Sequence, residues 1–119
     1  MEKRTKEFAL RAVQFVGDLP KSKASDVLGY QLLKAATSIG ANYREAGRAE
    51  SRADFIHKMA IVEKEISETQ YWLELFRDAP LGDSSVVGAL HGEATQLLAI
   101  FTASLKTVKS RGERSNHDR

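Results

Sequence analysis

Four stretches of the chain place apolar residues at alternating steps of three and four, the spacing that lines one face of an α-helix. The first carries Phe8, Ala12, Phe15 and Leu19. The second carries Leu28, Leu32, Ala35, Ile39, Asn42 and Ala46, with Asn42 the polar member of an otherwise apolar seam. The third runs through Phe55, Met59, Val62, Ile66, Thr69, Leu73 and Phe76, and the fourth through Val87, Leu90, Ala94, Leu97, Phe101, Ser104 and Val108. No stretch sustains the period-two alternation of a strand, and no Asn-Gly or Asp-Gly hairpin turn occurs.

The breaks between these stretches have local causes. Pro20, in Gly17-Asp18-Leu19-Pro20, and Pro80, in Asp78-Ala79-Pro80-Leu81-Gly82, cannot continue a helix interior. A softer break follows Gly47, and Ser51 with Asp54 three residues on resembles a capping box. Helices are therefore expected over about 3–17, 25–48, 51–78 and 84–111. Three long helices and a shorter first one, joined by short connections, imply an all-α fold, an antiparallel up-down four-helix bundle. A helix of ~25 residues is roughly 37 Å long, so the body should be elongated.

Apolar residues also fall beside the seams: Leu33, Ala36, Gly40 and Tyr43; Ile56, Ile61, Trp72 and Leu75; Val86, Leu98, Ile100 and Leu105. Stripes this broad are either wide core faces or a second apolar face that meets another subunit. The second reading is favoured because three helices share the feature.

Composition narrows the picture. The 119 residues include no Cys, which excludes disulfides and thiolate metal sites. Hydrophobic content of 42% and charged content of 29% suit one globular domain with its own core. No apolar run approaches the ~20 residues that cross a bilayer. The opening Met1-Glu2-Lys3-Arg4-Thr5-Lys6 is unlike a signal peptide. A cytoplasmic protein with no membrane association is expected. The net charge of +2 is unevenly spread: residues 106–119 carry Lys106, Lys109, Arg111, Arg114 and Arg119 against Glu113 and Asp118, leaving the preceding body at −1. A bundle domain over 1–111 followed by a flexible basic tail over 112–119 is the expected division. The tail serves either as a solubilising terminus or as an electrostatic arm for phosphates.

Catalytic groupings do not emerge. A di-iron bundle needs a Glu-x-x-His pair on each of two helices. The chain has His57, His91 and His117; only His57 has a carboxylate three residues before it, Asp54, and Gly88 holds that place before His91. No Ser–His–carboxylate grouping follows from spacing, and no Gly-rich phosphate loop follows a strand. The expectation is a non-enzyme with no cofactor and no metal. Two charged clusters remain. Around the second junction lie Asn42, Arg44, Glu45, Arg48, Glu50, Arg52, Asp54 and Lys58. Arg44 and Arg48 share a helix face, and Glu45 is placed to pair with Arg48. This is either a solvated hairpin end laced with weak ion pairs or a surface whose guanidinium forks meet phosphate or a partner carboxylate. Arg44, Arg48, Arg52 and Lys58 are the candidate nucleic-acid-binding residues. The second cluster is Glu63, Lys64, Glu65 and Glu68, with Lys64 and Glu68 at pairing distance along the helix. There Glu65 approaches the Ile61–Trp72 stripe and would need Arg44 or Lys34 as partner.

The run Thr37-Ser38-Ile39-Gly40-Ala41-Asn42-Tyr43-Arg44-Glu45-Ala46, followed by Ser51-Arg52-Ala53-Asp54-Phe55-Ile56-His57-Lys58 and Glu68-Thr69-Gln70-Tyr71-Trp72-Leu73-Glu74-Leu75, resembles the bacterial four-helix bundle protein family, also called the 23S rRNA intervening-sequence protein family. The resemblance covers roughly 5–110 and is strongest over 31–75. Ser38, Asn42, Glu45, Arg48, Ser51, Asp54 and Phe55 match its motif, in roles that look largely structural. The resemblance implies an up-down bundle and a ring-like homo-oligomer, a pentamer. Some relatives are encoded within inserts in 23S rRNA genes, and most have no assigned activity. The accessory variability protein of diversity-generating retroelements is similar in fold; it is basic and binds nucleic acid and a reverse transcriptase. Two functions follow as expectations: an oligomeric scaffold that binds RNA or DNA, or a protein-interaction adaptor without nucleic acid.

Overall fold

Each of the three long helices begins where a side chain supplies the acceptor that its first turn lacks. Ser22 Oγ accepts from Ser25 N, 3.0 Å away, and opens α2 (Lys23–Ala46). Ser51 Oγ accepts from Asp54 N at 3.0 Å and opens α3 (Arg52–Asp78). Asp83 Oδ1 accepts from Ser85 N and Val86 N at the head of α4 (Ser84–His117). Of these, the Ser51 cap was legible in the sequence. The Ser22 cap starts α2 two residues before the expected boundary. Gly47 follows α2 in right-handed helical geometry, so its conformational freedom is not used there. Pro20 and Pro80 lie in the connections after α1 (Glu2–Gly17) and α3.

The computed structural model describes the backbone of residues 1–117 and the side chains of residues 1–112. Among the described residues there is no strand. Helices α1 to α4 alternate in direction, each packing on its two neighbours, and the diagonal pairs meet only in the core. The result is an antiparallel up-down four-helix bundle of 59 × 23 × 22 Å. Helix α4 runs past the boundary expected at residue 111 to His117; the expected basic tail, 112–119, otherwise lies outside the described side chains.

The seams meet as their spacing requires. Phe8, Ala12, Leu32, Ile39, Val62, Ile66, Leu73, Phe76, Leu90, Leu97 and Phe101 are all buried in one cluster. Phe15 and Phe76 pack edge to face at 5.1 Å, a favoured aromatic geometry. Two registers differ from expectation. Ser104 is exposed and Leu105 is buried in its place: from Phe101 the buried face steps by four to Leu105 and then by three to the half-buried Val108. Thr5, a threonine outside the expected seam, is wholly buried. Its hydroxyl donates to Glu2 O, and Gly40 lets α2 approach it: a β-carbon at Gly40 would sit 3.3 Å from Thr5 Oγ1.

The broad stripes divide. Ala36 and Leu105 are buried, Val86 is exposed, and Leu33, Tyr43, Ile56, Ile61, Trp72, Leu75, Leu98 and Ile100 are half-buried flanks of the core. The large apolar side chains that face solvent are mostly others: Leu10, Val13, Val27, Tyr30 and Tyr71. Contrary to the sequence expectation, one segment, Ser84–Gly112, is long and apolar enough to cross a membrane by length and composition alone. In the bundle its apolar seam, from Val87 through Phe101 to Leu105, is turned into the core.

Candidate nucleic-acid interface

Antiparallel packing brings the C-terminal half of α4 to the end of the bundle that holds the α2–α3 junction. Two contacts mark the register: Thr102 Oγ1 donates to Glu63 at 2.8 Å, and the Arg52 guanidinium donates to Val108 O. The arginines of the junction and the lysines and arginine of α4 therefore share one end, although some fifty residues separate them in sequence. At that end lie Arg44, Arg48, Arg52, Lys58, Lys106, Lys109 and Arg111, interleaved with Glu2, Glu45, Glu50, Asp54 and Glu63. The opposite end carries Asp18, Asp26, Glu74, Asp78 and Asp83 against Arg11, Lys21, Lys23 and Arg77. Cations outnumber carboxylates at the first end and not at the second, so the charge is mildly uneven along the long axis.

The four residues singled out from the sequence do not form one flat patch. Arg44 reaches toward α1, its Nε donating to Glu2 Oε1 at 2.9 Å. Arg52 reaches the other way, over the α4 backbone at Gly112. Lys58 is half-buried on α3, and Arg48 is exposed beyond the C-terminus of α2. The expected Glu45–Arg48 ion pair is not formed among the described residues; instead the Arg48 backbone N–H donates to Glu45 O at 3.0 Å. Asn42 donates to Ser38 O of its own helix at 2.8 Å, so it does not tie one helix to another. The cations are thus spread around the end of the bundle.

Glu65 has neither expected partner within bonding distance, since Arg44 is engaged by Glu2 and Lys34 acts only through its field. Partial burial, then the neighbouring Glu68 charge, pushes its carboxyl above the usual range, with Lys64 and Lys34 opposing. One forked polar tie was not legible at all. Arg4 forks onto Glu93 through Nε and Nη2, both at 2.8 Å, and onto Gln96 Oε1 at 3.0 Å. That hydrogen bond holds the Glu93 carboxyl below its usual range despite opposing burial. Nothing local marks two residues 89 positions apart as partners. His91 Nε2 meets Glu74 across α3 and α4 at 3.0 Å, and His57 is exposed. No cluster of three metal-ligating side chains occurs among the described residues.

The fold is that of a small all-α four-helix bundle. The chain belongs to the family of the 23S rRNA-intervening sequence protein, whose model matches residues 1–103. It is similar to a crystal structure of a protein of unknown function from the S23 ribosomal protein family of Bacteroides thetaiotaomicron VPI-5482. The two are 36% identical, the match covers 88% of this chain and 97% of that one, and the TM-score is 0.82. No curated protein matches the chain.

Proposed function

We propose that this protein is a non-enzymatic, cytoplasmic binding module that assembles into a homo-oligomer and uses its cationic end to hold the phosphate backbone of RNA or DNA. The observation that carries the reading is the meeting of Arg44, Arg48, Arg52 and Lys58 with Lys106, Lys109 and Arg111 at one end of the bundle, where they outnumber the carboxylates among them. Guanidinium and ammonium groups ringed about an end suit a flexible polyanion and release its counterions on binding. Titration of labelled RNA and DNA at rising salt tests this. If about three phosphates are neutralised, affinity should fall about fortyfold between roughly 50 and 200 mM salt. No shift with either nucleic acid at low salt would remove the reading.

The assembly part rests on Leu10, Val13, Val27 and Tyr30, which are between 47 and 64% exposed. Members of each pair lie three apart and so share a helix face; large apolar side chains left on one side are what a protein contact covers. A closed ring such as a pentamer satisfies this with one repeated contact. The same residues favour the second reading, a protein-interaction adaptor. Purification from native cells with a protein partner and no nucleic acid would select it.

A further inference from the structure

A closed ring repeats one contact between two unlike faces, so every copy must carry both. The face with Leu10, Val13 and Tyr30 is one such surface. A second exposed ring, Tyr71, stands on α3 and is 54% exposed. Trp72 meets it edge to face at 5.1 Å. Trp72 is half-buried and packs on the core, so the Tyr71 ring is propped from behind. Leu75, four residues on and so on the same helix face, is half-buried too. Supported tyrosine and tryptophan side chains are the ones that anchor protein interfaces.

The two faces lie level along the bundle. Gly29 of α2 faces Val16 and Leu19 of α1, and Lys34 of α2 acts on Glu65 of α3 through its field. Counted from these pairs along antiparallel helices, Val13 is level with Leu32 and Tyr71 with Leu28. Val13, Tyr30 and Tyr71 thus fall within roughly 6 Å of one another along the axis. The rims differ in charge. On the helix faces around Leu10 and Tyr30 stand Lys3, Lys6, Lys23 and Lys34 against Glu7 and Asp26. Around Tyr71 stand Glu68, Glu74 and Asp78 against Lys64 and Arg77, and Arg77 is bound to Asp78 at 2.9 Å. The first rim has an excess of lysine and the second an excess of carboxylate.

Resting on the assembly reading, we infer that the Tyr71–Trp72 face is the counter-surface of that assembly, and that its occupant is the Leu10–Val13–Tyr30 face of a second copy of this chain. Complementary rims bring unlike faces together and disfavour like ones. Two α1–α2 faces would set lysine against lysine, and two Tyr71 faces would set carboxylate against carboxylate. A nucleic-acid strand does not suit the Tyr71 face for the same reason: its phosphates would meet Glu68 and Glu74.

Sedimentation of the full chain tests this. The wild type should exceed the mass of a dimer. Tyr71→Lys sets a cation against the lysine rim and should raise the concentration of half-dissociation roughly thirtyfold or more. Leu10→Glu with Tyr30→Glu should do the same from the other side. Mixing the two variants leaves one intact face on each, so the mixture should form a dimer where each alone is a monomer. Trp72 is the chain's one tryptophan, and its emission should move to the blue as the wild type assembles. Glu68→Lys, at an exposed position, should weaken assembly at low salt and less so at high salt. Circular dichroism verifies that each variant is helical. Tyr71→Lys or Glu68→Lys chains that assemble like the wild type at low salt overturn the counter-surface while leaving assembly intact. So does a mixture that stays monomeric, Trp72 emission that is unmoved while the mass changes, or a wild type that stops at a dimer. A wild type that is a monomer at high concentration removes the assembly reading itself.

Discussion

Gly82 lies in the connection between α3 and α4 at φ +77°, where side-chain-bearing residues are strained. A β-carbon there would come within 2.8 Å of Leu19 Cδ2 and 2.9 Å of the Phe15 ring. Both the backbone and the packing forbid alanine, so Gly82→Ala should cost about 1–3 kcal/mol in a denaturant melt. Gly88 and Gly92 are the contrast: both are exposed within α4, with nothing within 4 Å of an added β-carbon. Alanine at either should stabilise by about 0.5–1 kcal/mol. Glu65 gives a residue-scale pH prediction. Its raised folded pKa means that ionisation is harder in the fold than in the unfolded chain. Its favourable share is therefore full below the ordinary carboxylate range and is lost as pH rises through the raised value. Glu65→Gln should raise the melting temperature at neutral pH, and the gain should shrink on acidification through that range. A gain independent of pH would refute the cause.

Among the elements, α1 is the one held least, because it is the shortest and meets α4 over a short seam. The Arg4 fork onto Glu93 and Gln96 crosses that seam, and Arg44–Glu2 ties α1 to α2. Arg4→Ala should speed amide exchange in α1 with little change in α3. Because Glu93 titrates below its usual range, its contribution is present above the unfolded pKa and lost as pH falls through the lowered one. Protection of α1 should accordingly fall in acid, and Glu93→Gln should remove that pH dependence. The α4 element was read from the sequence through Phe101 and then misphased at Ser104. Steps of three and of four from Phe101 both keep a helical period, so the spacing alone could not choose between Ser104 and Leu105; the packing chose Leu105.

For the whole molecule, stability resides in one continuous core. Phe101 is 1% exposed and belongs to it, so Phe101→Ala should cost about 3–5 kcal/mol in urea unfolding; a loss under about 1 kcal/mol would mean that the side chain is not packed as described. Assembly is a separate property. Leu10→Lys with Tyr30→Lys replaces two exposed apolar side chains. This double variant should leave the protomer helical but reduce the sedimenting mass. A wild-type chain that sediments as a monomer at high concentration would end the oligomer proposal.

The sequence by itself determined the helices, their breaks and most of the core, because apolar spacing, proline and serine caps act over a turn or two of chain. From the junction residues it also picked out a cationic group, but it placed Arg44, Arg48, Arg52 and Lys58 as neighbours, whereas Arg44 and Arg52 reach to different helices. Only the tertiary structure decided that the basic stretch of α4 joins that end, that Arg4 meets Glu93, and that Arg52 reaches the α4 backbone. Each of these depends on which helix lies beside which, and at what height. Long-range packing of whole helices sets that height; no local pattern encodes it.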